Sequence, residues 1–235
     1  MPKAVILAAG RGTRMQGLTE SVPKPMLPVN GKPILEHLLE RLRAAGFREA
    51  LIVTGYRAEA VEEHFRNYPL DLTFRRQETL DGTARAALLA EDFAGDEPFL
   101  LTFGDVLAEP SAYRGIVATL DEYREAEAAI GVKWVDDPWQ GAAVYETGGW
   151  VTRIIEKPPK GTSATHWNSA GLFSFRRSIF DELRRVPKSP RGEYELTSAE
   201  AALLERKAPV RLFVIEGFWR DIGRPEDLEA ARSTL

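Results

Sequence analysis

Gly10, Arg11, Gly12 and Arg14 follow directly on the aliphatic run Ala4-Val5-Ile6-Leu7, and no other stretch of the chain is better equipped for chemistry. Glycine lets backbone N–H groups come close to a ligand, and a turn of such groups makes a concavity for anions. Arginine adds forked donors for phosphate oxygens. Lys24 supplies a further cation between Pro23 and Pro25, whose rings predict an extended path there. These residues suit the binding of a nucleotide or another polyphosphate. Three familiar phosphate loops do not match. The turn at Gly10–Met15 lacks the third glycine of a dinucleotide fingerprint. Gly31-Lys32 is followed by Pro33 and has Met26 where a Walker A loop has its first glycine. The valine of a kinase glycine loop is absent as well.

Other polar blocks stand further along. Gln77 precedes Asp81-Gly82-Thr83-Ala84, which leads into a helix that Asp81 or Thr83 would cap. Asp105, in Gly104-Asp105-Val106, follows the apolar run Phe99–Phe103. The carboxyl end of a parallel strand is where α/β folds place ligands. Asp221 lies in Trp219-Arg220-Asp221-Ile222-Gly223. A lone aspartate at Asp105 reads equally as a helix cap, while Mg²⁺ is an ion that takes a few carboxylates and fills its shell with phosphate oxygens and water. Glu156-Lys157-Pro158 taken alone reads as an exposed hairpin end. His37, His64 and His166 show no metal-ligand spacing, so a zinc site is not expected.

Leu7–Met15, of the form L-A-A-G-x-G-T-R-M, and the following Pro23-Lys24-Pro25-Met26-Leu27-Pro28 resemble the opening signature of sugar-1-phosphate nucleotidyltransferases. Within that family it resembles glucose-1-phosphate thymidylyltransferases and the uridylyltransferase domain of N-acetylglucosamine-1-phosphate uridylyltransferases. The likeness runs from residue 4 to about residue 227. It implies a Rossmann-like, three-layer α/β fold with a mostly parallel central sheet and an inserted mixed-strand lobe for the sugar. It implies an NTP and a sugar 1-phosphate as partners, with an NDP-sugar and pyrophosphate as products. Leu7, Ala8, Gly10, Gly12, Thr13, Arg14, Gln77, Gly82 and Thr83 would hold the nucleotide. Arg14 on the triphosphate and Lys24 on the reacting phosphate would be catalytic. Glu156, Lys157, Asn168 and Arg191 would hold the sugar phosphate, and Asp105 and Asp221 would hold Mg²⁺.

In that family the glutamine and the glycine backbone read the base edge. An amide with one acceptor and two donors suits the O2/N3–H edge of a pyrimidine, which favours UTP or dTTP. A mannose- or heptose-1-phosphate guanylyltransferase using GTP is the alternative. A phosphocholine cytidylyltransferase would not need the Glu156-Lys157-Pro158 block. A non-catalytic sugar-nucleotide-binding regulatory protein is the alternative of another class, and it would not be expected to keep every charged position filled. The sequence departs from the family at Gln16-Gly17, where many members have a proline, and this predicts a looser loop.

The elements that must position these residues alternate along the first half. Strands are predicted at Lys3–Ala9, Leu51–Thr54, Leu72–Arg75, Phe99–Phe103 and Ala129–Trp134. Helices are predicted from Pro33 to Gly46 and at Ala58–Phe65, Thr83–Ala90 and Ser111–Glu127. This βαβ order predicts helices on both faces of a largely parallel sheet. Beyond it, Gly141–Tyr145 and Val151–Glu156 flank the turn Thr147-Gly148-Gly149, and Leu172–Phe175 and Val210–Glu216 are further strands. Helices are expected at Ile179–Val186, at Leu196–Lys207 and from Pro225. The expectation is one domain over 1–235, with a nucleotide half at about 1–110 and a sugar-phosphate half at about 111–220.

A length of 235 residues suffices for a full core. A net charge of −4 with no long like-charge run argues against nucleic acid or an anionic membrane as partner. No apolar stretch is long enough to span a bilayer, and no signal-peptide pattern is present. The absence of cysteine excludes disulfides and thiolate metal sites. Cytoplasmic placement follows from these absences and from the need for an NTP. No hexapeptide repeat occurs, although several members of the family carry one, and the oligomeric state stays open.

Overall fold

The computed structural model describes residues 2–234, so the ends of the 1–235 domain expected from sequence, Met1 and Leu235, lie outside the described residues. The first half comprises β1 (Ala4–Leu7), β2 (Pro28–Val29), β3 (Lys32–Pro33), α1 (Ile34–Ala44), β4 (Glu49–Thr54), α2 (Ala58–His64), β5 (Asp71–Arg76), α3 (Thr83–Leu88), α4 (Glu91–Ala94), β6 (Phe99–Phe103) and β7 (Val106–Ala108). There follow α5 (Pro110–Glu122), β8 (Ala128–Trp134), β9 (Ala142–Thr147), β10 (Trp150–Glu156), β11 (Trp167–Phe175), α6 (Ile179–Arg185), α7 (Leu196–Glu205), β12 (Val210–Val214), β13 (Trp219–Asp221) and α8 (Pro225–Arg232).

β1 is buried along its whole length because its side chains alternate between two cores. Ala4, Ile6 and Ala8 join one cluster with residues of α1 and α5. Val5, Leu7 and Ala9 join the other with residues of α3, α6 and α7. Helices therefore cover both faces of the sheet, as the aliphatic run implies. Among the described residues nine strands form one sheet in the order β5-β4-β1-β6-β11-β8-β12-β10-β9. All run in one sense except β10 and β11. The three-layer architecture expected from the sequence is present, and the reversed strands belong to the second half.

β1 has β4 on one side and β6 on the other, both parallel to it. The chain leaves β1 in one direction and later returns on the opposite side. A crevice opens outside the carboxyl ends of the strands at such a switch point. The Gly10–Arg14 loop and Asp105 both emerge there, joined by a bond from Gly104 N–H to Leu7 O of 2.9 Å.

Four local expectations need correction. Pro23 is extended, with φ −65° and ψ 146°, but Lys24–Met26 form a short 3₁₀ turn instead of continuing that path. Met26 N–H donates to Pro23 O and Leu27 N–H to Lys24 O, and Pro25 sits where no donor is required. The helix expected to reach Glu127 ends at Glu122. The Arg176 guanidinium takes the carbonyls of Leu120, Arg124 and Ala126, so a tertiary contact overrides helix propensity. The strand expected from Leu172 begins at Trp167, and its pattern is masked by a register shift between Ser169 and Phe173. Neither Asp81 nor Thr83 caps α3, whose N-cap is Gly82.

Candidate active site

A cleft of about 600 Å³, within the range of small-molecule sites, opens over the carboxyl ends of β1 and β6. Leu7, Ala8, Gly10, Gly12, Thr13, Arg14, Lys24, Gln77, Gly82, Thr83, Asp105, Glu156, Lys157, Arg191 and Asp221 all line it. Asn168 does not. Its Nδ2 donates to Ser169 O at 2.8 Å and its amide packs on Gly141, while Ser169, Ala170 and Gly171 form the wall.

The loop after β1 is shaped around Lys24. Gly12 has φ 65°, and a Cβ there would come within 2.8 Å of the Lys24 Cβ. The loop then turns through a 3₁₀ segment at Thr13–Thr19, which Gln16 breaks with φ 54° and ψ −144°. This kink falls where the sequence departs from the family pattern. Lys24 is only 7% exposed, and its ammonium pairs with the Asp105 carboxylate.

Asp105 and Asp221 come together through a second, small ladder. β7 and β13 pair antiparallel, with Asp221 opposite Val106, and Ile222 N–H donates to Asp105 O at 2.9 Å. The Asp221 side chain faces the open cleft but is crowded by protein on its other sides. That crowding, and next the Asp105 carboxylate, pushes its carboxyl up to about 7, against the pull of Lys24 and Arg14. A Cβ added at Gly223 would lie 3.6 Å from Asp221 Oδ1 and 3.8 Å from Arg14 Nη1, so these groups converge.

On the base side, Gln77 Nε2 donates to Gly82 O at 3.0 Å and to Asp81 Oδ1 at 3.3 Å. Both partners only accept, which fixes the amide with Oε1 as its free group. Thr83 Oγ1 accepts from Leu196 N–H at 2.9 Å, so it satisfies the first turn of α7 instead of its own helix. Tyr194 N–H donates to Asp81 O, and Ala84 N–H to Tyr194 O. Gly82, at φ 127°, lies so close that a Cβ would sit 2.2 Å from Tyr194 O. Gly82→Ala is expected to destabilise the protein by about 2 kcal/mol or more, from backbone overlap and strain together. Chemical denaturation checks this, and an unchanged midpoint would mean that the Tyr194 segment yields freely.

Along the same segment, Glu156 Oε1 accepts from Arg191 Nη2 at 3.1 Å and Oε2 accepts from Thr197 Oγ1 at 3.0 Å. Arg191 Nε also donates to Glu195 at 3.0 Å, so that guanidinium is held between two acids. Lys157 is half exposed and adopts φ 44°, a strained backbone for a residue with a side chain.

A model of the nucleotidyl transferase family matches residues 3–235. The chain belongs to that family. It is 36% identical over 233 residues to the bifunctional protein GlmU of Methanocaldococcus jannaschii, covering 99% of this chain and 54% of that protein. It is 36% identical over 242 residues to the UTP–glucose-1-phosphate uridylyltransferase AglF of Haloferax volcanii, covering 99% of this chain and 96% of that one. The chain thus spans about half the length of its GlmU relatives and matches AglF almost end to end. A UDP-glucose pyrophosphorylase crystallised with UDP-glucose shares the fold with a TM-score of 0.90, at 23% identity, over 100% of this chain and 98% of that chain.

Nucleotidyl transferases of this family generally use a divalent metal. The donors here fit one. The Asp105 and Asp221 carboxylates are near enough to repel, and the Asp221 carboxylate makes no hydrogen bond among the described residues. Repulsion between them is what a divalent cation would relieve. No group of three or more His, Cys, Asp or Glu side chains suited to a metal occurs among the described residues, so phosphate oxygens and water would complete the shell. No helix among the described residues is long and apolar enough to cross a membrane.

Sequence reading missed one lining residue with unusual properties. Glu200 is 2% exposed, and neither of its oxygens has a hydrogen-bond partner. The signal was an acid on the apolar stripe Leu196, Ala199 and Leu203 of α7. His166, by contrast, is exposed, stacks on Trp134 and does not line the cleft.

Proposed function

We propose that this chain transfers a nucleotidyl group from UTP or dTTP to a sugar 1-phosphate, giving an NDP-sugar and pyrophosphate. The observation that carries the reading is one cleft whose lining gathers Gln77, the charged groups Arg14, Lys24, Asp105 and Asp221, and the Glu156–Lys157–Arg191 cluster. Residues 1–110 would hold the nucleotide and 111–220 the sugar phosphate, within a single unit. Leu7, Ala8, Gly10, Gly12 and Thr13 would wrap the phosphates and ribose. The need for NTP supports cytoplasmic placement.

A phosphate oxygen of the sugar phosphate attacks the α-phosphorus, and pyrophosphate leaves in line. The nucleophile needs no general base, because its second pKa lies near about 6 and it is already anionic at neutral pH. This fits a cleft with no histidine among its lining residues. The obstacle is an anion approaching a polyanion, which positioning and charge neutralisation overcome. Lys24 and Arg14 face the phosphates, and Lys157 and Arg191 receive the sugar phosphate. Mg²⁺ held by Asp105 and Asp221 would neutralise phosphate charge when bound.

Base choice follows from the fixed amide of Gln77. Its free Oε1 accepts from N3–H of uracil or thymine, while the helix-opening N–H groups at Gly82 and Thr83 suit a base carbonyl. Adenine and cytosine offer a ring-nitrogen acceptor at the same place. UTP or dTTP is expected to exceed ATP and CTP in kcat/KM by about 10²-fold or more, and to exceed GTP. A matrix of NTPs against sugar 1-phosphates, read by pyrophosphate release, tests both claims. A clear GTP preference would make the chain a guanylyltransferase. Binding without turnover for every pair would make it a sugar-nucleotide sensor.

A further inference from the structure

We propose that Glu200 is a specificity-determining residue of this site, its carboxyl hydrogen-bonding a hydroxyl of the sugar carried by the sugar 1-phosphate. The inference rests on the reading of the cleft given above.

Buried polar groups are paired almost without exception, because an unpaired one loses its water for nothing in return. Glu200 breaks that rule twice over, once for each carboxyl oxygen. Its helix position would suit an aliphatic residue, since Leu196 and Leu203 share the stripe and are themselves buried. The carboxyl is not a remnant of a salt bridge. Arg191, the nearby cation on the segment before α7, is committed to Glu195 and Glu156. Yet Glu200 lines the same cleft as these residues. One helical turn earlier, Thr197 donates to Glu156 Oε2, so Glu200 lies beside the residues that would receive the sugar.

The surroundings also set the form of the group. Burial, and then the Glu156 carboxylate on β10, push Glu200 up to about 8, so at neutral pH it carries its proton. A protonated carboxyl offers one donor together with acceptor oxygens. A sugar hydroxyl likewise donates and accepts, so the two are complementary. A deoxy carbon at the same place would leave Glu200 as orphaned as it is without ligand. A site built to bond a hydroxyl rejects the analogue that lacks it strongly, because the buried partner goes unpaired.

The test compares the parent protein, Glu200→Leu and Glu200→Gln. The probes are the sugar 1-phosphate with the highest turnover and its monodeoxy analogues at carbons 2, 3, 4 and 6. The parent is expected to discriminate against one analogue by about 10²-fold or more in kcat/KM. Glu200→Leu is expected to bring the full sugar down to within about threefold of that analogue, with the KM for NTP changed less than about twofold. Glu200→Gln is expected to keep part of the discrimination, since an amide also donates and accepts. Glu200→Leu is also expected to melt no lower than the parent, because an orphaned acid is removed from an apolar stripe. Unaltered discrimination in Glu200→Leu would overturn the proposal while leaving the transferase reading intact. If that variant does not fold, Glu200→Gln decides, and a sugar profile identical to the parent's overturns the proposal. A parent protein that releases no pyrophosphate with any pair overturns both readings.

Discussion

Replacing Lys24 by alanine is expected to lower kcat by roughly 10²–10³-fold, the scale seen when one preorganised transition-state donor is lost. The ammonium is buried, sits beside Asp105 and rises from a short turn, with the Lys24 side chain packed against Gly12. Such a charge costs no reorganisation when negative charge shifts at the α-phosphorus, and solvent cannot replace it. Lys157 differs. Its side chain is 49% exposed and rests near Glu156 at 3.9 Å. Lys157→Ala is therefore expected to raise the KM for sugar 1-phosphate with a smaller effect on NTP. Arg14→Ala should follow Lys24→Ala in lowering kcat. Steady-state kinetics with each substrate varied in turn separates these roles, with circular dichroism to verify folding. Near-parental kcat in Lys24→Ala would show that the loop after β1 only binds.

The second large effect concerns the two neighbouring acids. Asp221→Ala and Asp105→Ala are each expected to remove most activity, as is chelation of the unmodified protein. Full turnover in excess chelator would sink the assignment. The raised carboxyl of Asp221 adds a pH signature. Its ordinary value is 3.8, and crowding and Asp105 move it up to about 7. A proton then competes with a cation for this carboxylate below pH 7 and not above it. Cation affinity is expected to rise about tenfold between pH 6 and pH 8 and to level off above. The same sign governs stability without cation. The folded protein holds a proton that the unfolded chain has already released, so this group's contribution falls as pH rises from about 4 to 7. Calorimetric cation titration at the two pH values checks the first trend. An affinity as strong at pH 6 as at pH 8 would count against Asp221 as a ligand.

Much of this was legible before any coordinates. Ala4–Leu7 reads as a doubly buried strand because four aliphatic side chains in a row need apolar partners on both faces, and that requirement is local. Gly10, Gly12 and Arg14 read as a turn suited to phosphate because backbone N–H groups and guanidinium donors match anionic oxygens, and Lys24 joined them through the family-like Pro23-Lys24-Pro25 block. Phe99–Phe103 was bounded correctly, since an apolar run between Pro98 and Gly104 marks its own limits. Patterns failed where a distant group intervened. The tail of α5 has good helix formers but is unwound by Arg176, more than fifty residues later. Asn168 sits in a family-like block yet turns its amide toward Ser169 and Gly141.

The sequence by itself determined the fold class and marked a glycine-rich turn suited to anions, through periodicity and residue type within short windows. The residue types for nucleotidyl transfer came with the resemblance of its motifs to a known family. Tertiary structure alone decided which of those residues meet. Asp105 and Asp221 come together through the β7–β13 pairing, a contact between segments no local pattern joins. Gln77 became an acceptor because Asp81 and Gly82 consumed its donors. Thr83 came to serve α7 instead of its own helix. Glu200, an unremarkable acid in the sequence, became a buried carboxyl without a partner because α7 turns that position inward. Burial and pairing are properties of neighbours brought from elsewhere in the chain, and they set protonation and free hydrogen-bonding capacity.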